Sequence, residues 1–96
     1  MNKTVEAFIG TYLHVEMAYT GMEQRIRETI PTFGPDYADS LKEGFEELLA
    51  TRELTVGDYD GLTHVEFGSD DDLYTYLQGM YDFLFHDAET APAPPE

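Results

Sequence analysis

The stretch that decides the fold is Ser69–Phe85, with the sequence SDDDLYTYLQGMYDFLF. Ser69 and Asp72 have the spacing of a capping box, in which a hydroxyl and a carboxylate satisfy free backbone N–H groups at a helix start. Apolar side chains then recur on nearly every side of the predicted helix. Because such a helix must hide most of its surface, it belongs in the centre of a core or in an interface. We predict a central helix here, with the remaining chain packed around it.

Three further stretches show the three-to-four-residue spacing of amphipathic helices. The first covers residues 4–14, and the second covers residues 22–30, where Pro31 ends it. The third, residues 35–52, begins with a proline, which is favourable in the first helical turn. The sequence thus predicts a mainly α fold, a small bundle of four to five helices that forms a single domain over residues 1–86.

Residues 54–67 fit two alternatives. Thr55 is placed to cap a short helix through Tyr59. Equally, strands could flank the glycine-containing centre of the stretch, and residues 63–67 alternate in the way that favours a strand. An isolated hairpin would need to pack on the helices to be stable. We interpret the stretch as irregular, with a possible short strand or hairpin.

The end of the chain changes in composition. After His86 it reads DAETAPAPPE, which predicts a disordered, proline-rich acidic tail over residues 87–96. Elsewhere no segment approaches the roughly 20 apolar residues of a membrane span, and no signal-peptide pattern precedes the first helix. We expect a cytoplasmic protein.

Catalytic and metal-binding patterns are missing from the sequence. It contains no Cys, and none of its three His has a second His at metal-ligand spacing. His64 and Glu66 would share one face of a strand, but the sequence indicates no third partner for them. Neither a phosphate-binding loop nor a nucleophile elbow is present. The sequence predicts no enzyme, no catalytic residue, no metal ligand and no cofactor.

Charge is the strongest signal. Twenty Asp and Glu stand against five Lys and Arg, a formal net charge of −15. All five basic side chains lie in the first 52 residues, beside nine acids, so that part carries −4. The remainder has eleven acids and no Lys or Arg, and carries −11. Such a surface repels nucleic acid and anionic membranes and attracts basic proteins.

The predicted partner is therefore a basic protein, with no nucleic acid and no membrane; whether the chain forms homo-oligomers is left open. Contacts are expected from the acids that follow Arg52. The candidate partner-binding residues are Glu53, Asp58, Asp60, Glu66, Asp70, Asp71 and Asp72.

One motif near the N-terminus is distinctive. Tyr12, Leu13 and His14 end the first predicted helix, and Glu16 follows. This stretch resembles the opening of the immunity proteins of contact-dependent growth inhibition systems, in which a Tyr-Phe-His-like triplet precedes an Asp. The likeness continues through the helix that opens at Thr20 and through the segments Glu46–Leu49 and Tyr74–Leu84, covering roughly residues 5–85.

The resemblance implies a helical protein that neutralises one toxin inside the producing cell. Such toxins are commonly nucleases, whose clefts are basic, and the partner would be a toxin C-terminal domain. Two alternatives remain at the level of sequence. One is an acidic mimic of nucleic acid that inhibits a DNA-binding protein. The other is a helical adaptor or dimerisation module that uses Phe83 and Phe85 as its interface.

Overall fold

The computed structural model describes residues 1–95, and helices form most of it. A four-residue 3₁₀ helix, Ile30–Phe33, links the helix that ends at Thr29 to the helix that begins at Pro35. The mainly α class predicted from the sequence is confirmed. The α-helices are α1 (Lys3–Tyr12), α2 (Val15–Ala18), α3 (Glu23–Thr29), α4 (Pro35–Thr51), α5 (Val56–Thr63) and α6 (Asp70–Phe85).

Helix α6 supplies a large part of the core, as predicted, but it packs chiefly against α4, which also contacts α1 and the 3₁₀ helix and is the more central helix. Helix α6 starts where the sequence indicates, because the Asp72 N–H donates to the Ser69 hydroxyl over 3.1 Å. Its apolar side chains are buried over a wide face, and the opposite side is a narrow polar stripe of Asp71, Thr75, Gln78 and Asp82. The buried residues of α6 are Leu73, Tyr74, Tyr76, Leu77, Met80, Tyr81 and Phe83.

Helices α1 and α4 pack at very close range. Asn2 accepts the Val5 N–H over 2.7 Å as the α1 cap, and its amide donates to the Ser40 carbonyl oxygen over 2.8 Å. A Cβ atom at Gly44 would lie only 2.7 Å from Val5 Cβ and 2.6 Å from Asn2 Oδ1. The glycine in the middle of α4 is therefore the residue that allows α1 to approach.

Aromatic side chains join α1, α4 and α6 in the core. The ring of Phe45 lies 6.0 Å from Phe8 and 6.2 Å from Tyr81, and all three residues are buried. The Tyr81 hydroxyl donates to Glu46 over 2.6 Å. The pKa of Tyr81 is raised to about 12, mainly because the side chain is buried and secondly because its hydroxyl contacts the Glu46 carboxylate.

Residues 54–67 contain a helix and no strand, so the possible strand or hairpin predicted there is wrong. The helical alternative is correct at its start, where Thr55 and Asp58 form a reciprocal capping box, but α5 runs past Tyr59 to Thr63. The helix ends at His64, whose backbone is left-handed with φ 61°. Val65 is then buried in an irregular connection to α6.

The segments around α2 and α3 differ in detail from the prediction. The first helix stops at Tyr12, and His14 caps the short α2, which the sequence pattern did not indicate. Pro31 ends α3 as expected, but the chain continues as the 3₁₀ helix before α4. Within residues 1–95 no helix is both long enough and apolar enough to cross a membrane.

Candidate protein-binding surface

The acidic surface is built where the starts of α5 and α6 meet. The carboxylate of Asp70 accepts the Val56 N–H over 3.1 Å, which joins the first turns of the two helices. Beneath them, the Tyr74 hydroxyl donates to the Leu54 carbonyl oxygen over 2.7 Å and accepts the Leu54 N–H over 3.0 Å. Both residues are buried. Two segments that are 20 residues apart in the chain are thereby fixed side by side, and their acids share one region of the surface.

Four of the seven predicted acids have partners inside the protein. Asp58 completes the α5 capping box, and Asp70 satisfies a backbone N–H of α5. Glu53 lies 3.0 Å from the N-terminal amine, and this hydrogen bond raises the pKa of the amine. Asp71 lies 2.8 Å from Arg52. These carboxylates stabilise the fold locally, because helix starts favour negative charge, although the exposed ion pairs add little.

The other three acids line depressions that also include Phe67. Asp60 and Glu66 line one depression of about 190 Å³ with Phe67, and Asp72 lines a second one of about 410 Å³ with Phe67. Among residues 1–95 none of the three carboxylates has a hydrogen-bond or ion-pair partner. We name Asp60, Glu66, Phe67 and Asp72 the Phe67 patch.

The Phe67 ring packs against two buried tyrosine rings. It meets the ring of Tyr59 at 5.5 Å, nearly edge to face, and that of Tyr76 at 5.2 Å. Both tyrosines are buried, and burial raises the pKa of each well above its usual value of 10. The patch thus presents three charged carboxylates beside a half-buried aromatic ring. This arrangement suits Arg and Lys side chains. Their guanidinium or ammonium groups bind carboxylates, and either the cationic group or the aliphatic part of the side chain can lie against an aromatic ring.

Arg52, the last Lys or Arg in the sequence, already has partners within the protein. Arg52 pairs with Asp71 and lies over the ring of Tyr74, with its guanidinium carbon 5.1 Å from the ring centre. Since no Lys or Arg follows Arg52 in the sequence, residues 53–96 supply no Lys or Arg to balance the negative charge of the Phe67 patch.

Two histidines meet in space, which sequence spacing did not reveal. The rings of His14 and His64 are 5.3 Å apart and nearly perpendicular. Nδ1 of His14 accepts the Glu16 N–H over 3.2 Å, so this ring caps α2. The strand face proposed for His64 and Glu66 does not exist, because α5 ends at His64. Within the described residues no group of three His, Asp or Glu side chains could hold a metal ion.

The motif that carries the family resemblance has structural roles here. Tyr12 stacks on Phe8 at 5.2 Å, and Leu13 is buried. His14 and Glu16 start α2. These residues set the corner between α1 and α2, and they do not belong to the Phe67 patch.

Comparisons with protein-family models, with curated proteins and with solved structures gave no match to this chain.

Proposed function

We propose that the protein is an immunity protein that binds one basic toxin domain and neutralises it. The Phe67 patch would be the charged centre of the interface. The single observation that carries the proposal is that Asp60, Glu66 and Asp72 line depressions that include an aromatic ring, without a partner in the described protein. The acidic excess after Arg52 and the resemblance of residues 5–85 support the same type of partner.

The patch has the properties that interface centres need. Phe67 already packs against Tyr59 and Tyr76, so little conformational entropy is lost when a partner covers it. The carboxylates attract a basic surface at a distance and then accept charge-assisted hydrogen bonds from it. If the partner is a nuclease, the inhibitor would occupy the basic surface that nucleic acid requires. Inhibition then needs no chemical step.

Co-expression with a candidate toxin domain tests this function. Wild-type protein should protect the cells, and the variant Asp60→Asn/Glu66→Gln/Asp72→Asn should lose most of the protection. The matched control removes three exposed acids of α4 that also lack side-chain partners among residues 1–95: Asp36→Asn/Asp39→Asn/Glu43→Gln. Both variants change the net charge equally, so loss of protection by both, or by neither, would contradict a role for the patch.

The two alternatives have less support. A nucleic-acid mimic needs carboxylates along an elongated surface, whereas the dimensions here are 34 × 27 × 21 Å. The adaptor alternative requires Phe83 and Phe85 at an interface. Phe83 is only 3% exposed and lies under the Arg27 guanidinium at 4.3 Å, and the half-buried Phe85 packs against Phe45 and Tyr81 of its own chain.

A further inference from the structure

The C-terminal tail turns back along α6. Asp87 has a left-handed backbone with φ 56°, and the next N–H, from Ala88, donates to the Asp82 carbonyl oxygen over 3.2 Å. Arg27 of α3 donates to the carbonyl oxygens of both Phe83 and Ala88 over 3.3 Å. The end of α6 and the start of the tail are therefore held together by one guanidinium. The predicted disorder of residues 87–96 stays a prediction; residue 96 lies outside the described residues.

A glycine forms the floor under the tail. A Cβ atom at Gly79 would lie 3.1 Å from Pro92 Cβ and 3.2 Å from Pro92 Cγ. Because glycine inside a helix costs about 1 kcal/mol relative to alanine, its position in the middle of α6 calls for a packing reason. The contact with the Pro92 ring supplies one: the proline packs directly against the helix where any side chain would hold it away.

Aromatic residues flank the tail on both sides. Tyr19, which is 53% exposed, donates its hydroxyl proton to the Pro95 carbonyl oxygen. On the other side, Phe67 and Tyr76 line a depression together with Pro92 and Pro95. A wider depression of about 840 Å³ runs between Tyr19, Phe83 and the tail.

This combination matches the way proline-rich segments are recognised. A polyproline II segment has no internal hydrogen bonds, so its carbonyl groups are free to accept bonds from aromatic hydroxyls while its rings pack between aromatic side chains. The sequence APAPP of residues 91–95 favours that conformation because proline fixes φ. A segment of this kind therefore loses little conformational entropy when it binds.

We propose that Tyr19, Phe67, Tyr76 and Gly79 form a binding groove for proline-rich segments, here named the proline groove, and that residues 91–95 are its resident ligand. This inference does not depend on the immunity function. The two sites meet at Phe67, so a partner that covers the Phe67 patch would contact the edge of the groove.

Peptide binding by the full-length chain tests the groove. The probe is a fluorescently labelled peptide with the sequence of residues 87–96, and the readout is anisotropy. A chain with Pro92→Gly, Pro94→Gly and Pro95→Gly keeps its length but loses the conformation that the groove recognises. This released-tail chain should bind the peptide saturably. Wild-type protein should bind it at least roughly tenfold more weakly, because its tethered tail competes at an effective concentration in the millimolar range.

Matched glycine variants locate the site. In the released-tail chain, Gly79→Ala should weaken peptide binding, because the new Cβ would lie 3.1 Å from the proline ring and push it away from the helix. Gly61→Ala is the control, since a Cβ there meets nothing within 4 Å, and it should leave binding unchanged. Circular dichroism will show that both variants stay helical. If Gly79→Ala unfolds the protein, Tyr19→Phe provides the second test and should weaken binding.

Three results would overturn the proposal. The released-tail chain could fail to bind the peptide saturably, or Gly79→Ala and Gly61→Ala could bind it equally well. A dimer of the wild-type chain in sedimentation that disappears in the released-tail chain would show that tails are exchanged between two copies, which contradicts a ligand bound within one chain.

Discussion

Replacing Tyr74 with phenylalanine removes one oxygen atom and, with it, both hydrogen bonds that fix Leu54 beside α6. The ring itself, and the Arg52 guanidinium that lies over it, can remain in place. The substitution therefore isolates the contribution of the hydroxyl, whose two hydrogen bonds hold the α4–α5 connection against α6. These hydrogen bonds bring the acids of α5 and α6 together.

The expected loss follows from burial. Leu54 is 5% exposed, so both its N–H and its carbonyl group lose a partner in a place that water hardly reaches. Each unsatisfied buried group costs about 1–3 kcal/mol. We expect Tyr74→Phe to lower the free energy of unfolding by about 2–4 kcal/mol, a large part of the roughly 5–15 kcal/mol that is typical of a domain.

The matched control is Tyr59→Phe, which deletes the same atom elsewhere in the core. The Tyr59 hydroxyl is fully buried and has no hydrogen-bond partner among the described residues. Its removal relieves a desolvation cost, so the free energy of unfolding should stay constant or rise by about 1 kcal/mol. Urea denaturation followed by circular dichroism measures both variants. Equal destabilisation by the two substitutions would refute the conclusion that the Tyr74–Leu54 hydrogen bonds hold the α4–α5 connection against α6.

Two further predictions concern packing and pH. Gly44→Ala should lower the free energy of unfolding by about 1–3 kcal/mol, because the new Cβ overlaps Val5. Gly61→Ala, where a Cβ meets nothing, should raise it by about 0.5–1 kcal/mol. Equal free energies of unfolding for the two variants in urea denaturation would contradict the close approach of α1 and α4. Stability should also fall above pH 10, because unfolded tyrosines ionise there while buried ones, with raised pKa values, stay protonated. The loss of stability amounts to at most about 1.4 kcal/mol per pH unit for each such residue. In a pH titration, unfolding should coincide with the rise in phenolate absorbance. Gradual ionisation of these tyrosines in a protein that stays folded would contradict the prediction. The tyrosines concerned are Tyr59, Tyr74, Tyr76 and Tyr81.

The long helices could be predicted because local and tertiary signals agree. In α6 the Ser69 cap and the apolar pattern indicate the same element, and in α4 the proline start and the amphipathic spacing do so. The short α2 could not be predicted, since its cap is a histidine ring and its four residues are too few to show a period.

The error at residues 54–67 has a physical cause. Residues 63–67 do alternate between inside and outside: Val65 is buried, His64 and Glu66 are exposed, and Phe67 is half-buried. An irregular connection that lies on the core produces this alternation without a neighbouring strand. The Thr55–Asp58 spacing of a capping box was a local signal for the helix, and the interpretation of the stretch as irregular did not use it.

The acids of the candidate site could be selected from the sequence, but their roles could not. Asp70 binds the Val56 N–H across 14 residues, and Asp71 meets Arg52 across 19. Such partners become visible only when the chain is folded. Of the seven candidates, Asp60, Glu66 and Asp72 have no side-chain partner among residues 1–95, and for that reason we propose them as the centre of the interface.

The most direct test of the central claim is the rate at which the protein associates with a basic toxin domain, measured at low and high salt. We expect Asp60→Asn/Glu66→Gln/Asp72→Asn to slow association by roughly tenfold at low salt and to reduce its salt dependence, because steering by the patch is lost. The α4 control, with the same change in net charge, should stay close to wild type. Equal rates for the two variants at low salt, or a wild-type rate that salt does not change, would contradict the claim that the Phe67 patch binds a basic partner.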